Sequence, residues 1–156
     1  MNGLVIEKGE KYFTFLKSIF LAIENVQKEY NWLITGHECY PQNTEYAKKL
    51  SEEYCWITGK ELTKMIDDED FQWIWGVFSA FPKSITKEEV LKSKLPYANG
   101  YTGLWKNPVS IQHPLAEIEI VAWDSSMTII ISKNDNIIEK LKENKLWVRD
   151  LEEYNE

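Results

Sequence analysis

Apolar and polar positions alternate along this chain in patterns that spell out strands, turns and helices, most clearly over Leu115–Lys145. There Ala116, Ile118, Ile120 and Ala122 share one strand face, and Glu117, Glu119, Val121 and Trp123 share the other. Asp124-Ser125-Ser126 supplies turn residues, and Met127–Ser132 returns as the second strand of a hairpin. Asn134, Asp135 and Asn136 then offer N-cap oxygens for a helix that turns Ile137, Ile138 and Leu141 inward.

The rest of the chain reads in the same way. Gly3–Glu7 is a first strand. Glu10–Val26 follows helical spacing, with Phe13, Leu16, Phe20 and Ile23 on its apolar arc and only Leu21 on the polar side. Trp32–Thr35 is a strand ending at Gly36, and His37–Asn43 is irregular, broken by Pro41. Thr44–Tyr54 spaces Tyr46, Leu50 and Tyr54 as a short helix, and Tyr54–Ile57 is a brief strand. Thr58 to Glu61 and Thr86 to Glu89 have capping-box spacing. The first box opens a helix through Leu62, Met65 and Ile66 that ends at the acidic run Asp67–Asp70.

Phe71–Phe81 is the strongest central strand, with Phe71, Trp73, Trp75 and Val77 expected on one face and Ile74, Phe78 and Ala80 on the other. A strand apolar on both faces needs cover on both. Lys94–Pro114 is a long irregular stretch carrying Tyr97, Tyr101 and Trp105, and loops of that length are often functional. Together these elements predict a single α+β domain over residues 1–156 with a mainly antiparallel sheet of about five strands. The helices, the first and last among them, are expected to pack on one face, and the acidic tail over residues 150–156 is expected to fray.

Composition narrows the function class. Eighteen basic against 25 acidic residues leave a net charge of −7, and Arg149 is the sole arginine. Phosphate neutralisation needs clustered Lys and Arg, so nucleic acid is not an expected partner. No apolar run approaches the ~20 residues of a membrane span, and the longest near the N-terminus, Ile19–Ile23, is too short for a signal peptide. A membrane is therefore not an expected partner, and the expected location is the cytoplasm. Cys39 and Cys55 read as reduced thiols, because a chain of 156 residues can build its core without staples. Seven Trp, eight Tyr and six Phe are enough to make a partly exposed aromatic face plausible.

Candidate chemistry is sparse. His37-Glu38-Cys39 places a base, an acid and a thiol together on a turn leaving a strand, though adjacent residues cannot all face one centre and a polar turn is the plainer reading. His37, His113, Cys39 and Cys55 lack any paired zinc spacing, so no metal and no cofactor is expected. Glu117 and Glu119 could form an acid/base pair, but alternation of Glu with Ile is how a strand keeps one face in water. Asp67–Asp70 lacks the Gly and terminal Glu of a calcium loop, and Ser125-Ser126 has no base within local reach. Phosphate-binding glycine motifs are absent from the sequence. Tyr97, Tyr101 and Trp105 either form a recognition surface or fold back over the sheet.

At Asn31–Gly36 (NWLITG), Ala80–Pro82 (AFP), Trp123–Lys133 (WDSSMTIIISK) and Ile137–Leu141 (IIEKL), the chain resembles a family of small uncharacterised Bacillus-type proteins, catalogued as a domain of unknown function. The resemblance implies a bacterial, cytosolic, stand-alone domain and carries over no activity, cofactor or catalytic residue. The Lys94–Pro114 stretch looks long for that family. Two function classes follow. The first is a non-enzymatic protein-binding or regulatory module, one version being an immunity-like neutraliser of a basic partner. The second is a small enzyme or small-molecule binder with a pocket around His37, Glu38, Tyr97, Tyr101 and Trp105. Homodimerisation through an exposed hairpin edge is a further possibility.

Overall fold

Among the described residues seven strands form one sheet in the order β3-β2-β4-β5-β6-β1-β7, with every pairing antiparallel. The computed structural model describes residues 1–145 and 147–156. The strands are β1 (Asn2–Ile6), β2 (Tyr30–Cys39), β3 (Tyr54–Thr58), β4 (Trp73–Pro82), β5 (Ile118–Trp123), β6 (Met127–Ser132) and β7 (Val148–Asp150). The helices are α1 (Leu16–Ala22), α2 (Thr44–Lys49), α3 (Gly59–Asp68), α4 (Lys87–Val90), α5 (Asp135–Asn144) and α6 (Leu151–Tyr154). The architecture is a single α+β domain, with seven strands rather than about five.

Local chemistry starts and stops these elements as the sequence implies. Thr58 Oγ1 accepts from Glu61 N at 3.1 Å to open α3, and both halves of the capping box at Thr86 and Glu89 open α4. Asn43 and Asn134 cap α2 and α5 through their side-chain oxygens. The β5–β6 hairpin turns through left-handed Asp124 and Ser125, a conformation that matches the twist of paired strands.

The first helix is shorter than its apolar stripe. Thr14 takes a left-handed φ of 64°, and its carbonyl accepts from Trp73 N at 3.1 Å, so residues 10–15 lie along the end of β4 instead of in a helix. Only Leu16–Ala22 is α-helical. Its exit leads into a 3-10 turn, Val26–Glu29, pinned by buried polar bonds. Gln27 Nε2 donates to Thr63 Oγ1 at 3.0 Å, and Trp32 Nε1 donates to Gln27 O at 2.9 Å.

Both faces of the sheet are buried. On one, Leu4, Trp32, Phe78, Ile120 and Ile130 share a core with residues of α1, α3 and α5. On the other, Val5, Val77, Val121 and Ile129 lie under Ala98, Leu104 and Val109 of the long loop and Leu151 of α6. A β-bulge in β2 between Thr35 and Cys39 shifts the register against β4. A second irregularity, where Trp73 and Trp75 oppose the adjacent Cys39 and Glu38, places Ile74 as an extra residue in β4. Trp73 therefore joins the helix-side core with Phe78 while Trp75 and Val77 face the loop, and the four residues expected to share a face are divided.

Residues 150–156, expected to fray, lie at the end of β7 and in and just after α6. Asp150 ends β7, and Leu151 is fully buried against β1, where a side chain at Gly3 would collide with Leu151 Cδ2 at 2.9 Å. Asn107 Nδ2 donates to Glu152 O, and Asn155 Nδ2 donates to Leu104 O, both at 2.9 Å. The acidic composition hid two apolar anchors, Leu151 and Tyr154. Leu151→Ala should therefore cost about 2–5 kcal/mol in urea unfolding, as a core truncation does, whereas a frayed tail would show no change.

Candidate functional site

The long loop is held to the sheet by one buried carboxylate. Glu119 lies mid-β5 opposite Ser79 of β4, on the loop side, and has no exposed surface. Its Oε2 accepts from Gln112 N at 2.9 Å, while Oε1 has no hydrogen-bond partner. Ser79 Oγ and Thr35 Oγ1 on the same side of the sheet are also buried without partners. Gln112 in turn clamps the loop: Tyr97 N donates to its Oε1 at 3.1 Å, and its Nε2 donates to Tyr97 O at 2.9 Å. Burial pushes the Glu119 carboxyl up to about 7, with the Gln112 N–H pulling the other way.

Above this arrangement Tyr97 and Tyr101 meet edge to face at 5.4 Å, and they line a cavity of about 200 Å³ with Lys94 and Gln112. Burial raises the Tyr101 hydroxyl pKa, and the nearby Glu119 charge raises it further. Gly36 makes the approach from β2 possible. It sits in the bulge at a φ of 56°, and a Cβ there would meet Tyr97 Cα at 3.2 Å. Glu119 was expected on a solvated face beside Glu117. Instead the loop covers it, and Glu117 is half-buried near Tyr30, so the two carboxylates do not work as a pair on one open face.

The other expected site residues lie apart. His37 Nε2 donates to Leu50 O at 2.8 Å on the helix side, its Nδ1 is buried without a partner, and burial lowers its pKa. Glu38 is exposed and accepts from Tyr40 OH at 3.1 Å. Trp105 packs on Trp123 at 5.0 Å and on Tyr154 at 5.8 Å, so it belongs to a loop-side aromatic stack. His37, Glu38 and Trp105 thus do not line the Tyr97–Tyr101 cavity.

Other groups singled out by type have structural duties. Cys39 and Cys55 are unbridged, and burial, with Cys55 close by, pushes the Cys39 thiol up to about 12, far from a reactive thiolate. Asp68 accepts from Tyr46 OH and from Lys64 at 2.7 Å. Glu69 accepts from Gln42 N and Asn43 N at 2.8 and 2.9 Å, which docks the entry to α2. His113 Nδ1 accepts from Leu115 N, and its Nε2 donates to Val90 O at 2.8 Å. Among the described residues no group of three or more His, Cys, Asp and Glu comes together to hold a metal. No helix among them is long and apolar enough to cross a membrane.

A second concave region lies at the sheet's outer edge. Tyr54 and Trp56 of β3 contribute to a groove of about 620 Å³, flanked by Lys48 and Lys49 of α2 and by Lys87 of α4. Glu45, Glu52 and Glu53 balance those three lysines. Because β3 is the outermost strand, alternate backbone N–H and C=O groups along it face away from β2.

Burial of Glu119 sets a sign for pH dependence. Its folded pKa, about 7, lies above the unfolded carboxylate value of 4.5, so its contribution to stability is greatest at low pH and is lost as pH rises through 7. Glu119→Gln should remove this slope and stabilise the protein at pH 8 by up to about 3 kcal/mol relative to wild type. Denaturant unfolding of both proteins from pH 5 to 8 checks it, and a variant less stable than wild type at pH 8 contradicts the burial argument.

No curated protein and no solved structure matches this chain. Residues 1–94 match the family described as "Protein of unknown function (DUF2691)", and the match ends where the long loop begins. Since more than half of the 156 residues are covered, the chain belongs to that family.

Proposed function

We propose that this chain is a non-enzymatic protein-binding or regulatory module of the bacterial cytoplasm, and that its partner adds an extended segment to the outer edge of β3. The observation that carries the reading is the groove of about 620 Å³ along that edge, where outward backbone groups lie beside side chains of both charges. Strand addition draws affinity from main-chain hydrogen bonds, and flanking side chains set register and choice of partner. Three lysines and three glutamates along one groove suit a segment that itself carries both signs. The overall charge of −7 favours a basic partner protein, because opposite net charge speeds encounter, so an immunity-like neutraliser remains a concrete version.

The small-molecule alternative has less in its favour. The Tyr97–Tyr101 cavity, at about 200 Å³, is below the roughly 300 Å³ at which ligand pockets begin, and His37, Glu38 and Trp105 stand outside it. Dimerisation through the β5–β6 hairpin is not available, since β4 and β1 flank that hairpin on either side. A self-association route would have to use β3 or β7, and sedimentation distinguishes it from a foreign partner.

Affinity capture from native lysate should recover a stoichiometric basic protein. Its binding should slow exchange of the alternate β3 amides between Tyr54 and Thr58 that face away from β2. A partner that leaves those amides unprotected refutes the β3 site, and a chain that stays alone at native abundance counts against the module.

A further inference from the structure

The bond between Glu119 and Gln112 joins three layers of the loop face. Gln112 N reaches down to Glu119 Oε2, and the Gln112 side chain reaches across to both backbone polar groups of Tyr97. We propose that Glu119 is a proton-operated latch that holds the Lys94–Pro114 loop closed over the sheet when neutral and loosens it when ionised. The device is separate from partner binding at β3.

Geometry makes the closed loop sensitive to this one proton. Glu119 Oε1 has no exposed surface and no donor, so an anion there is supported by a single N–H on the opposite oxygen. A buried charge with one donor is far costlier than a neutral carboxylic acid. The neutral acid leaves Oε2 to accept from Gln112 N and needs no counter-charge at Oε1, and the cross-strand neighbour Ser79 also has an unpartnered hydroxyl. Thr35 lies two strands from Glu119 and offset along the sheet, so it does not share that proton.

Among the described residues no basic group offsets the charge. Tyr101 faces Glu119 from the loop, and its own ionisation is opposed by Glu119. Tyr97 and Lys94 lie on the outer cavity wall, with Lys94 Nζ drawn over the Tyr97 ring at 5.3 Å. His113, the residue after Gln112, is turned away to Val90 O and Leu115 N. Opening the loop hydrates Glu119 and returns it toward an ordinary carboxylate, so the open form gains as pH rises. The gain accumulates between about 4.5 and about 7 and is level above that, and the separation caps it at roughly 300-fold.

Amide hydrogen exchange on the full chain reads the latch directly. At each pH the exchange rates of Gln112 N–H and Tyr97 N–H in wild type are divided by those in Glu119→Gln, which cancels intrinsic base catalysis. The ratio should rise by one to two orders of magnitude from pH 5 to 7.5 and then level. Gln112 N–H and Tyr97 N–H should exchange faster than Ile130 N–H of the sheet interior at every pH, because the loop opens while the sheet stays folded. Gln112→Ala, which removes the Tyr97 clamp but keeps the N–H to Glu119, should speed Tyr97 exchange at every pH and retain the slope. A flat ratio overturns the latch. So does a Gln112 N–H that exchanges no faster than Ile130 N–H, since the loop would then open only by global unfolding.

Discussion

A sheet that is apolar on both faces has to be covered twice, and this chain covers one face mainly with helices and the other mainly with an irregular loop. Strands β2, β4, β5, β6 and β1 bury residues on either side, and α1, α3 and α5 contribute to the core on a single face. The other face falls to the irregular Lys94–Pro114 stretch, with Ala98, Leu104 and Val109 as its apolar contacts and α6 completing the cover. A loop cannot satisfy its backbone internally as a helix does, so its polar groups need outside partners. Glu119 is one of these, which explains how a carboxylate comes to lie within a hydrophobic interface.

Much of this was legible in the residues. Apolar patterning located six of the seven strands, the two capping boxes and the asparagines after Ser132 located the starts of α3, α4 and α5, and the spacing of Tyr46 and Leu50 marked α2. The two-sided apolarity of Phe71–Phe81 announced that both faces are covered. What periodicity could not supply was the identity of the second cover, because Lys94–Pro114 has no period of its own. The short β7 was invisible for a similar reason: Val148-Arg149-Asp150 is too brief and too charged to alternate, and it is a strand because β1 offers an edge beside it.

The candidate site was read less well, for a specific reason. Glu117 and Glu119 look identical on paper, yet one is half-buried and the other is sealed. A signal existed in Val121 and Trp123, which follow Glu119 on its own face and would not be left in water. His37 lies inside β2, which runs on to Cys39, and not on the turn expected after Gly36; the bulge there sends its ring to Leu50 O and brings Gly36 against Tyr97. Bulges add a residue without leaving a compositional mark beyond a glycine, so which side chain faces which layer is decided by pairing partners far along the chain.

The position of β1 has a consequence for how this molecule comes into being. Its neighbours are β6 and β7, both encoded beyond residue 94, while β2, β3 and β4 assemble on the far side of β5. The family-matched segment therefore contains a first strand with no partner of its own. As the polypeptide leaves the ribosome, that strand must wait for more than a hundred residues of synthesis before its ladder can form. Such non-local pairing is slow to form and leaves apolar Leu4, Val5 and Ile6 bare in the interval, a window in which chaperones or aggregation would compete for the nascent chain.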